Sequence, residues 1–115
     1  MFLDQGQLVY EYHMMIIERY TARAPEKLAA GRHRIEIDTT LTQPRPLSPA
    51  DVVLTVDGRE VARTTVARTV PGAFTASETF DVGVDLGSPV SLTYFDRRPF
   101  PFSGEIGSVI VQMKP

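Results

Sequence analysis

At 115 residues, 43% hydrophobic, 23% charged and with a net charge of −2, the chain is sized for one small globular domain and gives no electrostatic reason to expect nucleic acid or an anionic membrane. It has no cysteine, tryptophan or asparagine, which excludes disulfides, thiol nucleophiles, thiolate or Asn metal sites and N-linked glycosylation, and weakens any sugar-stacking role. No apolar run approaches the roughly 20 residues of a membrane helix, and the start, MFLDQGQLVYEY, shows no signal-peptide pattern, so a cytoplasmic or undetermined location is expected.

Leu8, Tyr10, Tyr12 and Met14 alternate with Val9, Glu11 and His13, the period-two pattern of a half-buried strand. A less regular strand follows in IIERYTARA, with Ile17, Arg19, Thr21 and Arg23 opposite Glu18, Tyr20 and Ala22. APEKLAAGRH reads as a turn or a short helical turn closed at Gly31. His33, Ile35 and Ile37 then alternate with Arg34, Glu36 and Asp38 in a third strand. The three prolines of TQPRPLSP predict an irregular loop. Val52, Leu54 and Val56 lead into Asp57 and Gly58, a pair that favours a type I′ hairpin, and Arg59–Val66 returns as its partner.

ETFDVG predicts a short strand with Glu78, Phe80 and Val82 on one side, and PVSLTYF predicts another. The last strand is GEIGSVIVQMK, where the apolar set moves from Ile106 to Val109, Val111 and Met113. A bulge near Gly107 and Ser108 would restore that register. No window of ten or more residues keeps a 3.6-residue period. The expectation is one all-β domain over residues 1–115, an antiparallel β-sandwich or jelly roll of concanavalin-like type.

Candidate chemistry is sparse. His13 and His33 both read as surface positions on strands. No G-x-S-x-G elbow, H-E-x-x-H pair or Walker A loop is present. Asp81 and Asp85 flank Gly83, with Glu78 before them, which makes a calcium candidate. A full site needs about six to eight oxygens, however, and aspartates in tight loops also serve turn geometry by accepting backbone N–H groups. Arg97 and Arg98 read as an anion clamp or a solvated loop. Tyr94, Phe95, Phe100 and Phe102 form a sugar platform if exposed, or plug an open end of the core if not.

The stretches LVYEYHMMIIERYTARA, GRHRIEID, VDGREVARTTVARTVPGAFTASETFDVGVDLGSPVS and FPFSGEIGSVIVQMKP together resemble the C-terminal β-domain of bacterial arylsulfatases over nearly the whole chain. The most specific block runs from Val70 and Pro71 through FDVGVDLGSPVS to FPFSGEI. Family members carry similar R-T-V-P, D-V-G-x-D-x-G-S-P-V and P-F-x-F-x-G-x-I patterns. In sulfatases, catalysis belongs to a large N-terminal α/β domain. That domain uses a formylglycine made in a C/S-x-P-x-R motif and a divalent cation held by Asp and Asn or Gln. Here Cys and Asn are missing, and Ser48 is followed directly by Pro49, one residue too early for the motif. No catalytic residue, cofactor or metal ligand of the family is therefore carried over.

The resemblance implies a non-catalytic accessory domain that packs on a sulfuric-ester hydrolase catalytic domain or self-associates as a homo-oligomer. The alternative is a lectin-like carbohydrate- or ligand-binding module. Met14, Met15, Ile16, Ile17, Phe100 and Phe102 are the expected interface residues. Relatives have a complete strand before the turn at Asp4, Gln5 and Gly6, whereas only residues 1–3 precede it here. The first strand is accordingly expected to be a truncated edge, in an excised fragment or a small reading frame derived from a larger enzyme.

Overall fold

A computed structural model describes residues 1–15, 17–71 and 80–114. The chain divides into two compact units, Met1–Thr75 and Ala76–Pro115.

The described residues of the first unit are all-β. Its strands are β1 (Phe2–Asp4), β2 (Gln7–Met14), β3 (Glu18–Lys27), β4 (Ile35–Leu41), β5 (Ala50–Val56) and β6 (Arg59–Val66). They form two three-stranded antiparallel sheets, β1-β2-β3 and β4-β5-β6. Both are meanders of consecutive strands, consistent with the expected antiparallel β-sandwich, and the paired Greek keys of a jelly roll are not seen among these six strands. Turn chemistry explains the joints. Gln5 and Gly6 sit at φ 50° and 85°, and Asp57 and Gly58 at φ 51° and 82°. Each pair supplies the two left-handed residues of a type I′ turn.

The even-numbered faces of β2 and β5 supply the core. Leu54 is 0% exposed and packs with Leu8, Ala22 and Ala24, so it joins the two sheets. Ala50, Val52 and Val66 form a second cluster against Tyr10, Tyr12 and Tyr20. Burial pushes the Tyr10 hydroxyl up to about 12, with Tyr12 adding to the shift. Each large apolar side chain placed here contributes roughly 1.5–3 kcal/mol. The Tyr12 hydroxyl also accepts the Val70 N–H at 2.8 Å, fastening the segment after β6 to sheet one.

Sequence periodicity and structure part at Pro25. The stretch beginning there reads as a turn, yet β3 continues through Pro25 to Lys27. Proline cannot donate to a ladder. The β2–β3 register shifts between Gln7 and Val9, and the Gln7 side-chain amide donates to the carbonyls of Ala24 and Pro25, each at 3.1 Å. The Gln7 side chain thus supplies a donor to two β3 carbonyls where the backbone register is interrupted.

The second unit contains no strand among its described residues, 80–114. Leu92–Arg97 forms 3-10 turns kinked at Tyr94, in place of the strand expected for PVSLTYF. The Ser91 hydroxyl caps them by accepting the Thr93 N–H at 3.2 Å, a local bond that competes with extended structure. Phe80 and Val82, from the expected ETFDVG strand, lie in irregular backbone, and Glu78 lies outside the described residues. Residues 104–114, the expected final strand, are likewise irregular and exposed. Among its described residues, backbone bonds that brace this unit run from Asp85 N–H to Pro99 C=O at 2.8 Å, from Phe100 N–H to Arg97 C=O at 2.8 Å and from Phe102 N–H to Gly83 C=O at 2.7 Å.

Candidate functional site

At the end of the β2–β3 hairpin the Ile17 N–H donates to the Met14 carbonyl at 3.0 Å. Met14, the last inward position of β2, is 4% exposed. Its parity places it in the interior, so it is removed from the expected interface. Met15 and Ile17 are 51% and 75% exposed, and Ile16 lies outside the described residues. Met15 sits at φ 50°, where an ordinary L-residue is disfavoured.

Two polar clusters stand behind this tip. The Glu11 carboxylate pairs with His13 Nε2 at 2.8 Å and with Arg19 at 3.2 Å. His13 is therefore partly buried in an ionic cluster rather than simply solvated. On the next strand, Glu18 accepts from Arg68 Nε at 3.0 Å and from the Tyr20 hydroxyl. The Arg68 guanidinium, aided by Tyr20, holds the Glu18 carboxyl below its ordinary value. Sequence reading missed both clusters. Charges at positions 11, 13 and 19 signal one only once the hairpin register is known, and the Glu18–Arg68 contact spans 50 residues.

His33 is fully engaged. Its Nδ1 meets Asp57 Oδ2 and its Nε2 meets the Ala29 carbonyl, both at 2.7 Å. Both partners only accept, so the arrangement favours the doubly protonated ring. Asp57, then the Ala29 carbonyl, raises the His33 pKa above the ordinary histidine value. Asp57 also accepts the Arg34 N–H at 2.8 Å, and this bond, ahead of His33, lowers its carboxyl. Through these two contacts His33 clasps the β5–β6 turn to the preceding loop.

The acidic loop serves turns. Asp81 accepts the Leu86 N–H and Asp85 the Val90 N–H, each at 2.8 Å, and the Tyr94 hydroxyl also donates to Asp85. Among the described residues, no three acidic or histidine side chains come together to hold a cation. In the aromatic loop, Phe100 stacks on buried Tyr94 with centroids 4.3 Å apart, and Arg97 lies 4.9 Å over the same ring. Arg98 covers Phe95 at 3.8 Å. Phe100 is thus occupied within its own unit, while Phe102 remains 41% exposed. Arg97 and Arg98 serve these rings, the former also donating to the Thr93 carbonyl.

Outward side chains of β4, β5 and β6 line a shallow polar groove of Thr40, Asp51, Val53, Arg63 and Thr65. Its charged groups are already paired, Asp51 with the Thr65 hydroxyl at 2.9 Å and Arg63 with Glu60. The exposed apolar hairpin tip is therefore one candidate for contact with another molecule, beside the exposed Ile110, Val111 and Met113 of the second unit. No protein-family model, curated protein or solved structure matches the chain.

Proposed function

We propose that the chain is a non-catalytic β accessory domain of the arylsulfatase C-terminal type, docking on a sulfuric-ester hydrolase catalytic domain through the tip of its β2–β3 hairpin. The observation that carries this reading is Met15. It is an apolar side chain 51% exposed on a backbone held at φ 50°. Such a residue costs about 1–2 kcal/mol that glycine would largely avoid, and strain of this kind collects where function requires a particular side chain. Ile17 beside it is 75% exposed. Full burial of the two would contribute roughly 1.5–3 kcal/mol each, against the entropy of association. The quoted sequence blocks support the family assignment, and the missing Cys, Asn and C/S-x-P-x-R motif support an accessory role.

The test is size-exclusion co-elution with an arylsulfatase catalytic domain deprived of its own C-terminal β-domain. A complex that is lost in the Met15→Asp/Ile17→Asp double variant is expected. Failure of the folded chain to bind, or turnover of an aryl sulfate by the chain alone, would refute the proposal.

A further inference from the structure

β4 is an unusual edge. Of the four edge strands among the described residues, β1 is three residues long, β3 carries Pro25 and a register shift, and β6 has a bulge in its pairing with β5. These are devices that discourage strand addition. β4 has seven residues, no proline, no lysine and an unbroken register with β5. The Arg34 carbonyl and the Thr42 N–H bond across to Asp57 and Pro49. By the alternation of an antiparallel ladder, the even residues of β4 face β5, and the backbone groups of Ile35, Ile37, Thr39 and Leu41 face the free edge.

The same chain carries a strand-like sequence without a ladder. Val109, Val111 and Met113 alternate with Ser108, Ile110 and Gln112. Val111 is 72% and Met113 91% exposed. Among the described residues, none of 105–113 shares a backbone hydrogen bond with another. β-Branched alternation of this kind is satisfied when a sheet edge supplies the partner groups.

We propose that residues 107–113 of one chain add antiparallel to β4 of a second copy. The favoured register sets Leu41 opposite Val109, Thr39 opposite Val111 and Ile37 opposite Met113. It matches odd to odd, so the outward N–H and C=O groups of β4 meet those of the incoming strand. It also places Lys114 opposite Glu36, whose carboxylate already pairs with Arg34 at 3.0 Å, so the register rests on the backbone match rather than on that charge pair. Among the described residues each chain carries both this strand-like segment and this open edge, and the occupant is a second copy. This contact is separate from the hairpin-tip docking.

The test uses the absence of cysteine. Chains carrying Thr40→Cys are mixed with chains carrying Ile110→Cys and oxidised at roughly 100 μM. These two positions are directly opposite in the proposed register, and the expected product is a disulfide-linked pair of different chains, formed about tenfold more readily than with Ser108→Cys. Unmodified chain should show at least twice the monomer mass by light scattering. Val111→Pro and Thr39→Pro, which remove facing N–H groups without breaking a β4–β5 bond, should return it to monomer, while Ile17→Asp should leave the mass unchanged. Four results would overturn the proposal: monomer at that concentration, equal trapping by Ser108→Cys, closure only within a chain bearing both cysteines, or loss of assembly in Ile17→Asp.

Discussion

Replacing Leu54 by alanine tests whether the two sheets share one core. Leu54 is fully buried and touches Leu8, Ala22 and Ala24 of the opposite sheet. The substitution removes three carbons, worth roughly 2.4 kcal/mol at about 0.8 kcal/mol each. A cavity cost follows, because the short side chains of Ala22 and Ala24 cannot swing in to fill the space. The total should be about 3–4 kcal/mol, within the range for buried leucines. That is a large part of the stability of a small unit. Ile37→Ala, on the exposed edge strand β4, should cost under about 1 kcal/mol. Urea unfolding followed by circular dichroism should lower the midpoint by about 1–3 M for Leu54→Ala, with little change in slope. If the two variants differ by less than about 0.5 kcal/mol, the sheets do not pack through Leu54 and the fold described above is wrong.

Tyr12→Phe leaves the Val70 N–H without its 2.8 Å acceptor and should cost about 1 kcal/mol, seen as faster amide exchange at Val70. His33→Gln tests the clasp on Asp57. A raised His33 pKa contributes stability that is full below about 6.5 and fades as pH rises through the higher folded value. A lowered Asp57 pKa contributes stability that is full above about 3.8 and fades as pH falls through the lower folded value. The Tm gap between wild type and variant should therefore be widest between about pH 4 and 6.5 and narrow in alkali; a gap constant across that range would contradict the pairing. Met15→Gly should raise stability by up to about 1 kcal/mol by relieving its φ of 50°, while weakening docking. An unchanged or lower melting temperature would count against strain at this position.

What the sequence reveals depends on how local each signal is. The β5–β6 hairpin is legible because Asp57 and Gly58 fix both turn type and register within the turn itself. β2 is legible because Leu8, Tyr10, Tyr12 and Met14 recur every second residue, although Val9 between them is buried as well. Pro25 misleads, because the carbonyls of Ala24 and Pro25 find a donor in the Gln7 amide, which reaches them only after the β2–β3 hairpin closes. PVSLTYF is ambiguous because Ser91 can either extend or cap, and the cap wins locally. GSVIVQM shows the opposite limit: its alternation is that of a strand, but a strand exists only with a partner. The ionic clusters at Glu11 and Glu18 and the His33–Asp57 clasp join residues whose proximity is set by folding, so no spacing rule announces them. Exposure at the hairpin tip was readable for Met15 and Ile17, whereas Met14 follows the inward face of β2.

The most direct test of the docking account is isothermal calorimetry of the intact chain against an arylsulfatase catalytic domain stripped of its β-domain, repeated at several temperatures. Docking through an apolar hairpin tip predicts saturable binding with a negative heat-capacity change, at least about tenfold weaker with Ile17→Asp. No binding by the folded chain, or binding indifferent to Ile17→Asp, would contradict it.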